Sequence, residues 1–413
     1  MNWGVRLLRV VNKVFFDRTW SQVNLDNLTN NYKAFRKLTE NKVSDENKEQ
    51  TKIMAVIKAN AYGHGSVVVG KVLENSGIDY LAVASLDEAI ELRKSGIRIP
   101  ILLFGTISYN RCEEVIKNDI TVTVFDKSLA EILSKKALEN GKKVKIHIEL
   151  DTGMTRLGFD YRNGVEDTLF LTKLKGLEIE GMYTHLACAD EKLPDYTKMQ
   201  FERFMQVVKK LEEQDVKIPI KHVCNSAATI MYPEMHLDMI RVGLSMYGMY
   251  PMDEVNGKKI DLKPVMTLKS KVANVNYVKK GVKISYGGIY KTARDSRIIT
   301  IPIGYADGLS RSLTNKAGII VNDEIAPIVG KICMDQCMVD STDIKGEIKV
   351  GDEVVIFGQS QNRSIEVEDL AKALGTINYE ITCMVSRRVP RYYLKSGKVV
   401  ACENYLTKEY YDS

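Results

Sequence analysis

Lys58 closes the apolar run Ile53-Met54-Ala55-Val56-Ile57 and is followed by Ala59-Asn60-Ala61-Tyr62-Gly63-His64-Gly65. A primary amine therefore sits where a buried strand meets a glycine-rich turn. Partial desolvation at such a place lowers a lysine's pKa, keeps part of it neutral and lets it form a Schiff base with an aldehyde cofactor. On position alone the commoner reading is a strand-end lysine whose stem is buried while its ammonium reaches water. Other polar residues end apolar runs in the same way: Glu149 with Asp151, His185, Asn225 with Ser226, and Arg241. Between Val144 and Asp151, Lys145, His147, Glu149 and Asp151 alternate with apolar residues. That is the period-two pattern of a strand with one polar face.

The elements that must carry these groups are eight hydrophobic runs, at residues 53–58, 80–84, 100–104, 121–125, 144–151, 179–185, 221–225 and 239–243. Helix-forming stretches lie between them, among them 66–75, 86–94, 127–140 and 196–214. Eight strand and helix units in about 230 residues match a (β/α)8 TIM barrel, an α/β fold whose active site lies at the carboxyl ends of its strands. An open doubly wound sheet would carry GxGxxG after its first strand, and none stands there. From about residue 262 the pattern becomes alternating strands (265–278, 297–303, 318–321, 347–358, 392–401), with only 367–374 reading as helix. The expected division is a barrel over 17–261, a mostly-β domain over 262–413, and a basic amphipathic extension over 1–16 with Arg6, Arg9 and Lys13 on one face. A helix packed on its own protein explains that extension better than a membrane contact does.

The formal charge of +6 comes from lysines and arginines dispersed among acids, unlike the clustered stripe of a nucleic-acid binder. No apolar stretch reaches the roughly 20 residues of a spanning helix. Seven separated cysteines without a CxxC pair predict reduced thiols in a cytoplasmic protein and no metal centre.

AVIKANAYGHG (55–65), DTGMTRLGF (151–159), YTHLACADE (183–191), NSAAT (225–229), RVGLSMYG (241–248), SYGGIY (285–290), IPIGYADG (301–308), GKICMDQCM (330–338) and INYE (377–380) occur in that order. Together they resemble the alanine racemase family, from Trp20 to about Arg391. The resemblance implies that Lys58 carries pyridoxal phosphate (PLP), that Arg241 faces its pyridine nitrogen, and that His222 holds Arg241. It implies a cofactor pocket that includes His185 and Asn225. Phosphate contacts would come from Ser226, backbone N–H groups near Gly243 and Leu244, and the hydroxyls of Tyr62 and Tyr379. A satisfied core histidine and a helix N-cap are the plainer readings of His222 and Ser226.

Racemisation needs a second proton-transfer group opposite Lys58. The resemblance assigns it to Tyr286, which enters from the second subunit of a homodimer. A tyrosine of ordinary pKa is only about 0.1% ionised at pH 7, so it needs a neighbouring cation, a role the resemblance gives to Arg156. Arg156 and the backbone N–H of Met334 would also bind substrate carboxylate. Asp190, Tyr305, Arg311 and Tyr379 resemble the residues that narrow access to the site. Two positions depart from the family: Glu149 stands where a lysine is commonly carbamylated, and Lys331 where an arginine is usual at the access channel. Glu149 already has two anionic oxygens but a shorter reach, so it supports Arg156 only through a shifted guanidinium or a bridging water.

The expected activity is interconversion of L-alanine and D-alanine. Serine or another small amino acid stays open, because a small pocket rejects an added hydroxyl only weakly. A barrel-type PLP decarboxylase is disfavoured by Arg241, since such enzymes generally pair the pyridine nitrogen with a carboxylate. A non-enzymatic PLP carrier is disfavoured by the β-rich second domain.

Overall fold

The computed structural model describes residues 18–40, 50–191, 193–252 and 259–407; the 1–16 extension lies outside them. Two compact units are found. Of the described residues, one unit holds 18–27, Tyr62–Gly65 and 264–407, and the other holds those within Leu28–Ala61 and Ser66–Lys263.

The second unit is the (β/α)8 barrel. Its strands are Lys52–Val56, Tyr80–Val83, Ile101–Leu103, Thr121–Val124, Val144–Asp151, Leu177–Tyr183, Ile220–His222 and Met239–Val242. Neighbours pair in parallel in chain order, and Met239–Val242 returns to pair with Lys52–Val56. Between the seventh and eighth strands, Asp238 N–H donates to Lys221 O at 3.1 Å and Arg241 N–H to Cys224 O at 3.0 Å, which draws the ring together. Several of these strands are short because both faces are covered: every residue of Tyr80–Val83, Thr121–Val124 and Met239–Val242 is buried, the polar Thr121, Thr123 and Arg241 included. Helices Ser66–Asn75 and Leu86–Lys94 occupy the stretches expected of them. Leu86–Lys94 starts at a Ser85/Glu88 capping box, which satisfies two otherwise orphaned N–H groups.

The other unit is β-rich. Its main sheet runs Glu324–Pro327, Gly318–Val321, Glu353–Gln359, Met266–Lys271, Thr19–Asn24, Arg391–Lys395 and Lys398–Glu403. A three-stranded sheet joins Asn274–Val278, Ser296–Ile301 and Cys337–Asp340. Ile299, Ile301, Ile319, Val339 and Phe357 are among the side chains of its core.

Two expectations need correction here. The segment from 18 to 27 belongs with the β-rich unit and not with the barrel, because Trp20 pairs with Lys269 and Ser21 with Arg391. Helix is also not confined to Val367–Leu374: a left-handed Gly375 ends that helix, and a second one follows at Asn378–Met384, as glycine at this position allows.

Candidate active site in the barrel and its supporting shell

The first barrel strand ends at Val56, and Lys58 opens a turn instead of ending the strand. Ala59, Asn60, Ala61 and Tyr62 all have left-handed φ, from 51° to 56°. For residues with a Cβ this costs roughly 1–2 kcal/mol each, so the surroundings must impose it. Ala59 N–H donates to Glu88 Oε1 at 2.6 Å, while Glu88 Oε2 accepts from Ala84 and Ser85 N–H. Asn60 Oδ1 accepts from Ser66 N–H at 2.9 Å at the start of the next helix. Ser85 and Glu88 have the spacing of a capping box, but nothing local reveals the bond from Glu88 to the residue after Lys58.

Arg241, on the eighth strand, is 3% exposed. Its Nη1 donates to His222 Nδ1 at 2.9 Å and to His222 O at 3.0 Å, and its Nη2 donates to Thr184 O and Val223 O at 2.9 and 3.1 Å. Tyr183 packs against both residues: the guanidinium is 5.1 Å from its ring, and the His222 ring stacks on it at 4.8 Å. Among the described residues no hydrogen bond engages Arg241 Nε, which leaves one N–H to point at a ligand. His185 Nδ1 lies 3.4 Å from Nη2. Burial, with the charges of Arg241, Arg156 and Lys58 adding, pushes the His185 pKa down to about 3. His222 is likewise held well below its ordinary value by burial and then by Arg241.

The ends of the seventh and eighth strands form a small polar cradle. Asn225 Oδ1 caps helix Ser226–Met231 through Ala228 N–H at 2.9 Å, and Ser226 Oγ accepts Gly243 N–H at 3.0 Å. The Gly243 N–H is thus committed to the serine. The Ser226 proton and the start of the Leu244–Tyr247 turn remain suited to an anion, and Arg241 Nε to a ring nitrogen. These residues fit a phosphorylated pyridine aldehyde.

Glu149 is buried and accepts from Tyr183 Oη at 3.0 Å. Burial raises its pKa, against the lowering pull of Tyr183, Arg241 and Arg156. No ion pair joins Glu149 to Arg156 among the described residues; Arg156 is exposed and reaches it only through its charge. Asp151 caps its own turn, accepting from Gly153 and Thr155 N–H. Asp190 is exposed on a loop of the barrel unit.

In the β-rich unit the predicted residues gather in two groups. The rings of Tyr62 and Tyr379 lie 6.1 Å apart, and burial, followed by Tyr379 and Cys383, keeps the Tyr62 phenol protonated well above its ordinary range. Tyr286 is 69% exposed. The preceding Ser285 donates to Lys331 O at 2.6 Å, Tyr305 N–H donates to Cys333 O at 3.1 Å, and Ala306 N–H to Met334 O at 3.0 Å. Gly304 permits this approach, because a Cβ there would collide with the carbonyls of Cys333 and Met334. Tyr286, Lys331, Met334 and Tyr305 are therefore carried on three contiguous strings. Arg311 starts a short turn, and Thr314 just after it accepts from Ile332 N–H at 3.2 Å.

The family model for the N-terminal domain of alanine racemase matches residues 23–251, and that for its C-terminal domain matches 265–393. The chain belongs to the alanine racemase family. It is accordingly an enzyme of the isomerase class, an amino-acid racemase. Alanine racemase from Clostridium tetani is 44% identical over 389 residues, covering 94% of this chain and 98% of that protein. The enzyme from Methanococcus maripaludis is 46% identical, covering 91% and 98%. Among solved structures, alanine racemase of Clostridium difficile 630 superposes with a TM-score of 0.89 at 44% identity, covering 95% of this chain and all of that one. The Bacillus anthracis enzyme with bound L-Ala-P superposes with a TM-score of 0.86 at 37% identity, covering 95% and 99%.

For this racemase the buried histidines set an acid limit. His185 folds neutral with its pKa depressed to about 3, whereas in the unfolded chain it titrates near 6.5. Its contribution to stability is present above about pH 6.5 and is lost as pH falls toward about 3, at up to about 1.4 kcal/mol per pH unit. Urea-unfolding free energies measured from pH 7 to 4 should fall less steeply in His185→Gln than in the wild type, by about that slope. Parallel slopes would contradict it.

Proposed function

We propose that this chain interconverts L-alanine and D-alanine with PLP at the barrel strand ends, as a cytoplasmic homodimer in which Tyr286 acts in the partner's site. When bound, the cofactor supplies an aldehyde for the Lys58 amine and a conjugated ring that takes up negative charge at the substrate α-carbon. The protein does the rest. Lys58 Nζ removes or returns the α-proton on one face, and the phenol of Tyr286 returns or removes it on the other. Arg241 directs Nε–H at the ring nitrogen. Being a donor only, it discourages protonation there, keeps the ring a weak electron sink and limits the diversion of a carbanion into transamination. Ser226, Leu244 N–H, Tyr62 and Tyr379 bind phosphate, with His185 and Asn225 lining the pocket. Arg156 and the N–H of Met334 take the substrate carboxylate, while Tyr305, Asp190, Arg311 and Lys331 restrict its size. A tyrosine 69% exposed in the single chain is available to a second subunit.

The observation that carries this reading is Arg241, whose two Nη atoms are tied to protein acceptors while Nε has no partner among the described residues. A decarboxylase would pair the ring nitrogen with a carboxylate instead. The test is a coupled assay for D-enantiomers from alanine, serine and lysine with added PLP, with carbon dioxide measured alongside. Alanine should react fastest, serine within about a hundredfold, and lysine not at all. Tyr286→Phe should lose about 10²- to 10⁴-fold of the activity and retain the visible absorption of bound cofactor. Carbon dioxide release without D-product would overturn the assignment.

A further inference from the structure

Two buried groups outside this machinery, His147 and Glu180, form a line of bonds that ends on Arg241. Lys145 Nζ donates to Glu180 Oε1 at 2.7 Å, Glu180 Oε2 lies 3.3 Å from His147 Nε2, and His147 Nδ1 lies 2.8 Å from His222 Nε2. His222 Nδ1 then meets Arg241 Nη1 at 2.9 Å. We infer that Glu180, acting through His147, is a positioning residue that dictates which nitrogen of His222 is bare and so fixes the orientation of Arg241. This rests on the reading that Arg241 faces the cofactor ring.

The protons can be placed from either end of this line. An arginine has donors only, so the His222 Nδ1 facing it must be bare and the single proton of neutral His222 must sit on Nε2. That proton goes to His147 Nδ1, which must also be bare, and His147 then carries its proton on Nε2 and needs an acceptor. Glu180 is that acceptor. Burial pushes its carboxyl up, but the bonds from His147 and Lys145 outweigh it and hold the group at about 2, so it is an anion without a proton to donate. Starting from Glu180 gives the same two tautomers. The opposite polarity would set an N–H of His222 against an N–H of Arg241.

Packing leaves these rings no alternative place. A Cβ on Gly181 would lie 2.6 Å from His147 Cε1 and Nδ1. The pairing of the fifth and sixth strands also shifts register between Ile146 and His147, which sets the histidine opposite the glycine. Both rings are fully buried, whereas Lys145 at the far end is half-exposed. Glu180 thus shields a charge pair near the surface from which a fixed hydrogen-bond direction runs inward.

The chain has five histidines, so ¹⁵N spectra of histidine-labelled holoenzyme, assigned by single substitutions, report each tautomer. His147 and His222 are expected to be protonated on Nε2 in the wild type; a proton on Nδ1 of either would overturn the inference without any variant. In Glu180→Gln the carboxamide can present N–H to His147, so both histidines should shift population toward Nδ1–H. Racemisation should fall about tenfold or more, in line with loss of an outer partner of a functional histidine, and the visible band of bound cofactor should move. Glu180→Asp should restore the wild-type tautomers and part of the activity. Unchanged tautomers and an unchanged band in Glu180→Gln would also overturn it. If the wild-type protein shows no borohydride-sensitive visible band, it is the assignment of Arg241 to the cofactor that fails, and the tautomer result is still readable.

Discussion

Lys58→Ala is expected to abolish the visible absorption of bound cofactor and to lower racemisation by about 10⁴-fold or more, since it removes both the covalent attachment and one of the two proton-transfer groups. The loss should be chemical and not conformational. The left-handed turn after Lys58 is held by backbone and side-chain bonds of its neighbours, through Glu88 to Ala59 N–H and Asn60 to Ser66 N–H. The variant should therefore unfold within about 1 kcal/mol of the wild type, as expected away from core, cap and buried charge. Spectra before and after borohydride, D-alanine formation and a urea titration on the same preparation check all three. A variant that keeps a borohydride-sensitive band would place the reactive amine elsewhere.

Arg391→Leu should have the largest effect on stability. Arg391 is 1% exposed, and its guanidinium donates to the carbonyls of Gly63, Val385, Val389 and Ser386 at 2.7, 2.8, 3.0 and 3.3 Å. Leucine fills much of the volume and leaves four carbonyls without these donors, a loss of about 3–5 kcal/mol. That corresponds to a fall in Tm of about 10 °C. Lysine should rescue little, because one ammonium cannot reproduce a planar fork. The segment released includes Tyr62, so retained activity should fall as well. Gly63 and Gly65 belong to the same arrangement: both have left-handed φ, and a Cβ on either would collide with Thr382 O or Tyr393 Oη. A midpoint within about 2 °C of the wild type would mean that water replaces the guanidinium.

The two glycines of Tyr-Gly-His-Gly are instructive about what a motif means. Beside Lys58 they suggest a turn that serves the amine, yet Tyr62–Gly65 lies in the β-rich unit, where close packing against Thr382 and Tyr393 requires them. Proximity in sequence here marks the place where the chain passes from one unit to the other. Glu149 makes a similar point. Its burial on a polar-faced strand was readable, but its partner is Tyr183 from the next strand, and the distance between Glu149 and Arg156 along the chain says nothing about that choice.

Period-two and helical patterning, with capping residues, determined the number of barrel strands, helices such as Ser66–Asn75, Leu86–Lys94 and Val367–Leu374, and the strand ends at which polar groups collect, because each depends on residues a few positions apart. Tertiary structure alone decided the rest. Thr19–Asn24 pairs with two strands that begin about 250 and 370 residues further on, beyond the usual adjacency of consecutive elements. The turn after Lys58 is left-handed because Glu88 and Asn60 hold it so. Arg241 is oriented through His222 and His147 toward Glu180 because Gly181, on a neighbouring strand, leaves room for a ring. The first and last of these depend on strand register and the turn depends on a helix packed beside it, and local spacing carries no record of how separate elements are set against one another.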